Sequence, residues 1–292
     1  QRGATYWHAT AVASVLAGNT DENVKILPYK VVRFGTDTCA ASAVLAAMED
    51  AVAKGARVLN MSLSTSQNRA GFAAMMDKAA ALGVAVCCSA GNAGAQVSNR
   101  YPSALPQTIT VSAVTADKTV AGFSNYGDLV DYCAPGSHIT VATMDSGGAP
   151  AATTASGTSL SCPYGAACCA LLLSLHPDLT LGQLNALLQG SAEDLGDLGF
   201  DPIYGNGLLR LDNLTQTGTT GNLTYTLTLP EGTLALTGTG DGADYDRAAA
   251  TPWALWAEEL QQITVAEFYL FRLPKCSVYP AGDFAAAGGL CV

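Results

Sequence analysis

Positive charge is scarce in this chain of 292 residues: 14 Lys and Arg stand against 24 Asp and Glu, a formal net charge of −10. A nucleic-acid-binding face needs clustered Lys and Arg to displace counterions from phosphate, so no nucleic-acid partner is expected. Histidine is rarer still, with His8, His138 and His176 the whole complement. Nor is there a CxxC…CxxC spacing, so no metal centre of either kind is expected. No run of 18 or more apolar residues occurs, which leaves no membrane span by sequence. Gln1 opens the polar stretch QRGATYW rather than the charged-then-apolar pattern of a secretory leader.

Cysteine is present but oddly placed. There are nine, and Cys87-Cys88 and Cys168-Cys169 are adjacent pairs. Neighbours on one strand or helix point different ways and rarely bridge each other, so these four read as small core residues. Cys276 and Cys291, closing a short loop near the end of the chain, are the pair best placed for a disulfide.

What is abundant is small and apolar: 49% of residues are hydrophobic, only 13% charged, and 30 are glycine. The length suits one large α/β domain plus a smaller one. From about residue 8 to 213, helix-like and strand-like segments alternate, the pattern of a parallel sheet. Helices are expected over Ala11 to Leu16, Ala40 to Ala53 (ended by Lys54-Gly55), Arg69 to Leu82, Ser159 to Leu175 and Leu181 to Leu188. Strands are expected over Lys25 to Phe34, Arg57 to Leu63, Val84 to Ser89, Thr108 to Val114 and Leu129 to Cys133. The run VAVCCS reads as buried on both faces. After Asn213 the texture changes to a Thr/Gly linker over 214–222. Leu223 to Leu229 and Thr233 to Thr237 then alternate polar and apolar, as antiparallel strands do.

Two stretches carry chemistry. In His8-Ala-Thr-Ala-Val-Ala-Ser-Val-Leu-Ala-Gly18, a histidine starts a helix of small residues, so its imidazole projects while the helix packs closely. In Ser156-Gly-Thr-Ser-Leu-Ser-Cys-Pro163, Gly157 and Thr158 turn the chain so that Ser159 heads a buried helix. Backbone N–H groups there suit a nucleophile whose attack creates an oxyanion. Pro163 falls within the first turns, where its missing N–H does least harm. His138 and His176 read as a loop residue and a helix-end residue.

These stretches resemble the histidine and serine motifs of the subtilase family, close to HGTxVAG and GTSxxxP. Ser89-Ala-Gly-Asn92-Ala-Gly94 lies between them in the family's order. Val58-Leu-Asn-Met-Ser-Leu63, Phe123-Ser-Asn-Tyr-Gly127, Ala134-Pro-Gly136 and Tyr204-Gly-Asn-Gly-Leu208 match further family segments. The resemblance covers residues 8–213. It implies an α/β, subtilisin-like parallel sheet with helices on both faces, and a serine endopeptidase needing no cofactor and acting on proteins or peptides. On that resemblance His8 is the general base, Ser159 the nucleophile and Asn92 a side-chain donor to the oxyanion. Ser62, Leu63 and Ser64 correspond to the edge that pairs with an extended substrate, and Ala90 and Gly91 to the opposite wall of the first specificity pocket. Ser64, where many relatives carry glycine, is expected to narrow the second pocket.

One family element is missing. The triad's aspartate precedes the histidine in subtilisins, yet only seven residues precede His8 and none is acidic. Asp21 and Glu22 follow the histidine's helix and are poor substitutes. The Asp-bearing strand is central to the family's sheet, so residues 1–213 are expected to be an N-terminally incomplete peptidase domain, a piece of a longer chain. The short connection from Gly18 to Lys25 leaves no room for the calcium loop of many subtilases, so no such site is expected.

Residues 223–292 form a β-rich module. Its GTLALTGTG and Thr251-Pro-Trp253 elements resemble the cap that opens leucine-rich-repeat arrays in certain bacterial surface proteins, which implies a protein partner. Trp253 and Trp256 are expected in its core. Two functions stay open on the residues: a secreted or cell-surface bacterial serine endopeptidase, or a catalytically silent subtilase scaffold that binds partners through its groove and C-terminal module.

Overall fold

A computed structural model describes residues 5–33, 38–67, 69–145, 148–212, 215–228, 233–238 and 262–265. The chain divides into two compact units, Gln1–Arg210 and Leu211–Val292. Within the first unit lies a four-stranded parallel sheet in the order β1 (Val58–Met61), β2 (Ala85–Ser89), β3 (Ile109–Val114), β4 (Tyr132–Pro135). Every residue of β2 and β3 is buried, as expected of strands covered on both faces.

One face is covered by α2 (Ala41–Ala53) and α3 (Arg69–Ala81). Val44 and Met48 of α2 and Phe72, Met75 and Met76 of α3 close over Leu59, Met61, Val86 and Cys88. The other face is covered by α4 (Thr158–Leu175), which runs across all four strands. With a length and composition that would suit a membrane span, α4 is nonetheless 67% buried inside the fold. α1 (Thr5–Gly18) leans on α4 and on β5 (Ile139–Met144), with Ala11, Val12 and Val15 packed on Val141 and Leu160. β5 pairs antiparallel with β6 (Pro150–Ala155), a hairpin for which the Ala/Thr-rich second strand gives little periodic signal. α5 (Leu181–Ser191) packs on α4 and opens with a full capping box between Thr180 and Gln183.

The expected strand from Lys25 to Phe34 is not found over its described part. Residues 25–33 belong to no ladder, and Ile26 and Leu27 are 41% and 48% exposed. The sequence has strand-like hydrophobicity, but Pro28 removes a donor and no strand among the described residues offers a partner. β1 is accordingly the edge of the sheet.

The second unit holds a sheet ordered β10-β9-β8-β7, made of β7 (Thr215–Thr220), β8 (Leu223–Thr228), β9 (Thr233–Gly238) and β10 (Gln262–Val265). Most of the expected linker 214–222 is therefore strand, in antiparallel register with β8. Its threonines are β-branched and favour extended backbone, a preference that the glycines between them mask in the sequence. Gly218 lies opposite Tyr225, and a side chain there would collide with the tyrosine ring, which fills the space instead. β8 and β9 pair antiparallel as expected, whereas β10 joins β9 in parallel. Trp253, Trp256, Cys276 and Cys291 lie outside the described residues.

Candidate active site

The C-terminal ends of the parallel strands and the N-terminus of α4 bring most of the candidate residues together. Gly157 caps α4 with φ 155° and ψ 151°, and Ser159, half-buried, is the helix's second residue. Pro163, its sixth, has no N–H to give the carbonyl of Ser159 one turn earlier. That freed carbonyl accepts a hydrogen bond from Ser62 Oγ at 2.8 Å, while Ser159 Oγ donates a long bond of 3.4 Å to the Ser62 carbonyl. Asn60 Nδ2 donates to Ser62 Oγ at 3.1 Å. The segment after β1 is thus tied to the candidate nucleophile at two points.

Asn92 is held by Thr158. Its Oδ1 accepts from Thr158 N at 2.8 Å and from Thr158 Oγ1 at 2.9 Å. A backbone N–H can only donate, so the amide's oxygen faces Thr158 and its Nδ2 is left to face away. A Cβ on Gly157 would stand 3.4 Å from Asn92 Nδ2 and 3.9 Å from Ser159 N. The space that glycine leaves empty is therefore bordered by both expected oxyanion donors. Thr158 Oγ1 also accepts from Gly91 N at 3.0 Å, so one buried hydroxyl clamps both residues of the loop.

Asn125 organises that loop from below. Its Nδ2 donates to the Ala90 carbonyl at 2.9 Å, and its Oδ1 accepts from Ala93 N at 2.9 Å and Ala95 N at 3.2 Å. Gly91, at φ 105°, approaches so closely that a Cβ would meet Asn125 Nδ2. Ala90 is fully buried beside Val97 and Val130. Leu63 is half-buried against the α2/α3 cluster and Ser64 is exposed. Sequence reasoning gave no role to Asn125 and read Thr158 only as a turn residue, although both lie in motifs it singled out.

His8 is the fourth residue of α1, which starts earlier than the expected Ala11. It is half-buried, edge-on to Trp7 at 6.4 Å between ring centroids. Burial holds its imidazole below the ordinary value of 6.5, and no carboxylate acts on it among the described residues. Its helix packs on Leu160, next to Ser159. No hydrogen bond joins His8 to Ser159 among the described residues. Asp21 is exposed and accepts from Asn23 N in a local turn, away from this role. Among the described residues no cluster of three or more His, Cys, Asp or Glu is arranged to hold a metal.

Residues 2–207 match the model of the Subtilase family. Subtilisin DY of Bacillus licheniformis is 33% identical over 221 residues, 72% of this chain and 77% of its own length. The minor extracellular protease Epr of Bacillus subtilis (strain 168) is 33% identical over 167 residues, 57% of this chain and 25% of Epr. The chain spans less than half the length of several curated relatives it matches. A crystal structure of a cold adapted subtilisin-like serine proteinase superposes with a TM-score of 0.58 at 29% identity, covering 70% of this chain and 72% of the other.

Proposed function

The chain belongs to the subtilase family of subtilisin-like serine proteases, and from that premise we propose that it is a serine endopeptidase working through an acyl-enzyme on Ser159. His8 takes the Ser159 proton as Oγ attacks the scissile carbonyl, then returns it to the leaving amine. Asn92 Nδ2 and the Ser159 N–H hold the oxyanion of the tetrahedral intermediate. The observation that carries this reading is the empty volume at Gly157, flanked by those two donors beside the nucleophile. The substrate is an extended peptide that adds alongside Ser62, Leu63 and Ser64, with Gly91 on the opposite side of its first pocket.

The triad carboxylate belongs on a further strand, for which β1 supports a place. Among the described residues β1 pairs only with β2, and the buried Asn60 Oδ1 on it has no hydrogen-bond partner. A parallel strand at that edge would satisfy both and would bring a carboxylate behind His8. The second reading is a silent scaffold that binds peptides through the same groove without cleaving them.

The extracellular relative supports a secreted or cell-surface bacterial protein. For the C-terminal module, the parallel pairing of β9 and β10 supports a leucine-rich-repeat-type cap with a protein partner. The full-length gene product is expected to hydrolyse a fluorescence-quenched peptide, and its Ser159→Ala variant to bind but not cleave it. Binding without cleavage by the folded, unsubstituted protein would establish the scaffold.

A further inference from the structure

We infer that Cys87 and Cys169 form a disulfide that staples β2 to α4 when the chain folds in an oxidising medium. The two sulfurs lie 3.8 Å apart in the buried core, joined by no bond in this structure and 82 residues apart in sequence. Adjacent cysteines do not share this fate, because successive strand residues face opposite sides. Cys88 points into the α2/α3 cluster with Phe72 and Met76, while Cys87 points at α4. The helix is shaped to meet it. Gly165, one turn before Cys169, has no side chain, and a Cβ there would already stand 3.8 Å from Cys87 Sγ and 3.0 Å from Val111 Cγ2. Cys87 therefore sits beside a close approach of strand and helix, with Cys169 one turn on from Gly165 on the same helix face.

The chemistry is thiol–disulfide exchange with a small-molecule disulfide such as oxidised glutathione. One protein thiolate attacks it and expels a small thiol; the second protein thiolate then attacks the mixed disulfide and expels another. Two protein thiols are oxidised, one disulfide is reduced to two thiols, and both protons leave with them. Both cysteines are fully buried, so exchange proceeds while the chain folds rather than in the finished protein. The Cys169 contact and burial hold the Cys87 thiol well above the ordinary thiol value, so a Cys87 still reduced in the folded chain is a poor nucleophile for exchange. The result is a structural cross-link between the strand that leads to Asn92 and the helix that carries Ser159 in its first turn, closing a long loop in the unfolded chain.

The test is peptide mapping of the whole chain refolded in a glutathione redox buffer, with free thiols alkylated in denaturant and without reductant. The expected product is one cross-linked peptide pair containing Cys87 and Cys169, lighter by two hydrogens than its separated halves. The Cys88→Ala/Cys168→Ala variant identifies the sulfurs and is expected to give the same pair. Alkylation of Cys87 and Cys169 in full, or a cross-link through Cys88 or Cys168 instead, would overturn the inference. In parallel, reductant is expected to lower the denaturant midpoint of the unsubstituted chain and to leave that of Cys169→Ala unchanged. Equal sensitivity of both proteins to reductant would refute the staple.

Discussion

Replacing Thr158 by valine keeps the shape of a side chain that is 1% exposed and removes its hydroxyl. Two hydrogen bonds go with it, to Gly91 N at 3.0 Å and to Asn92 Oδ1 at 2.9 Å. Each is worth about 0.5–1.5 kcal/mol net, so the total lies at about 1–3 kcal/mol. Part of that is lost stability, because the Gly91 N–H keeps no partner in place of the hydroxyl. The rest acts through Asn92, which retains the bond from Thr158 N at 2.8 Å and is loosened rather than released. Removing an oxyanion donor outright costs about 10²–10³ in kcat, a magnitude known from a subtilisin rather than worked out from this structure. Loosening it is expected to cost less than outright removal, through misplacement of the donor. The assay is the second-order rate at which a fluorophosphonate modifies Ser159 in four proteins: unsubstituted, Thr158→Val, Asn92→Ala and the double variant. Because Thr158 works through Asn92, its substitution is expected to cost little once Asn92 is alanine. An equal loss in both backgrounds, or no loss in a folded Thr158→Val protein, would refute the clamp.

Two further expectations concern pH. Burial lowers the His8 pKa, so the free base persists below pH 6.5 and the acid limb of kcat/KM is expected below that value; a limb above it would contradict the burial. The same shift means that the unfolded chain takes up this proton first, so stability is lost as pH falls from 6.5 through the folded pKa. Asp131 has the opposite sign. Burial raises its carboxyl to about 6 from 3.8 although Thr110 N donates to it at 2.7 Å. The folded chain holds this proton more tightly, so stability falls as pH rises from 3.8 to about 6, by about 3 kcal/mol for a shift of about two units. Asp131→Asn keeps an acceptor for Thr110 and is expected to flatten that slope in urea midpoints; an unchanged slope would exclude Asp131 as its source.

The sheet and its helices were legible because the buried strands are short, largely apolar runs and several helices end at a glycine or proline, as at Gly18, Gly55, Gly83 and Pro177. Val84 to Ser89 shows this best: a continuous apolar run became a strand buried on both faces. Lys25 to Phe34 shows the limit. Its hydrophobicity says strand, but a strand exists only with a neighbour, and pairing is not written in a single segment. Residues 215–220 erred the other way, since Thr and Gly look like a linker until a hairpin partner is present. At the site, motif order singled out Ser159 and Asn92, which the structure brings together around Gly157. The clamp by Thr158, the support from Asn125 and the Ser62 bond to the carbonyl freed by Pro163 depend on contacts between segments 30 to 97 residues apart. The meeting of Cys87 with Cys169 is of the same kind: adjacency in sequence hid it, because only one cysteine of each pair faces the strand–helix contact.

The most direct measurement is fluorophosphonate labelling of the full-length gene product, with the adduct located by peptide mapping. A serine endopeptidase carries the label on Ser159, takes it up far more slowly as His8→Ala, and takes up none as Ser159→Ala. A correctly folded full-length protein that stays unlabelled contradicts a working nucleophile and leaves the peptide-binding scaffold in its place.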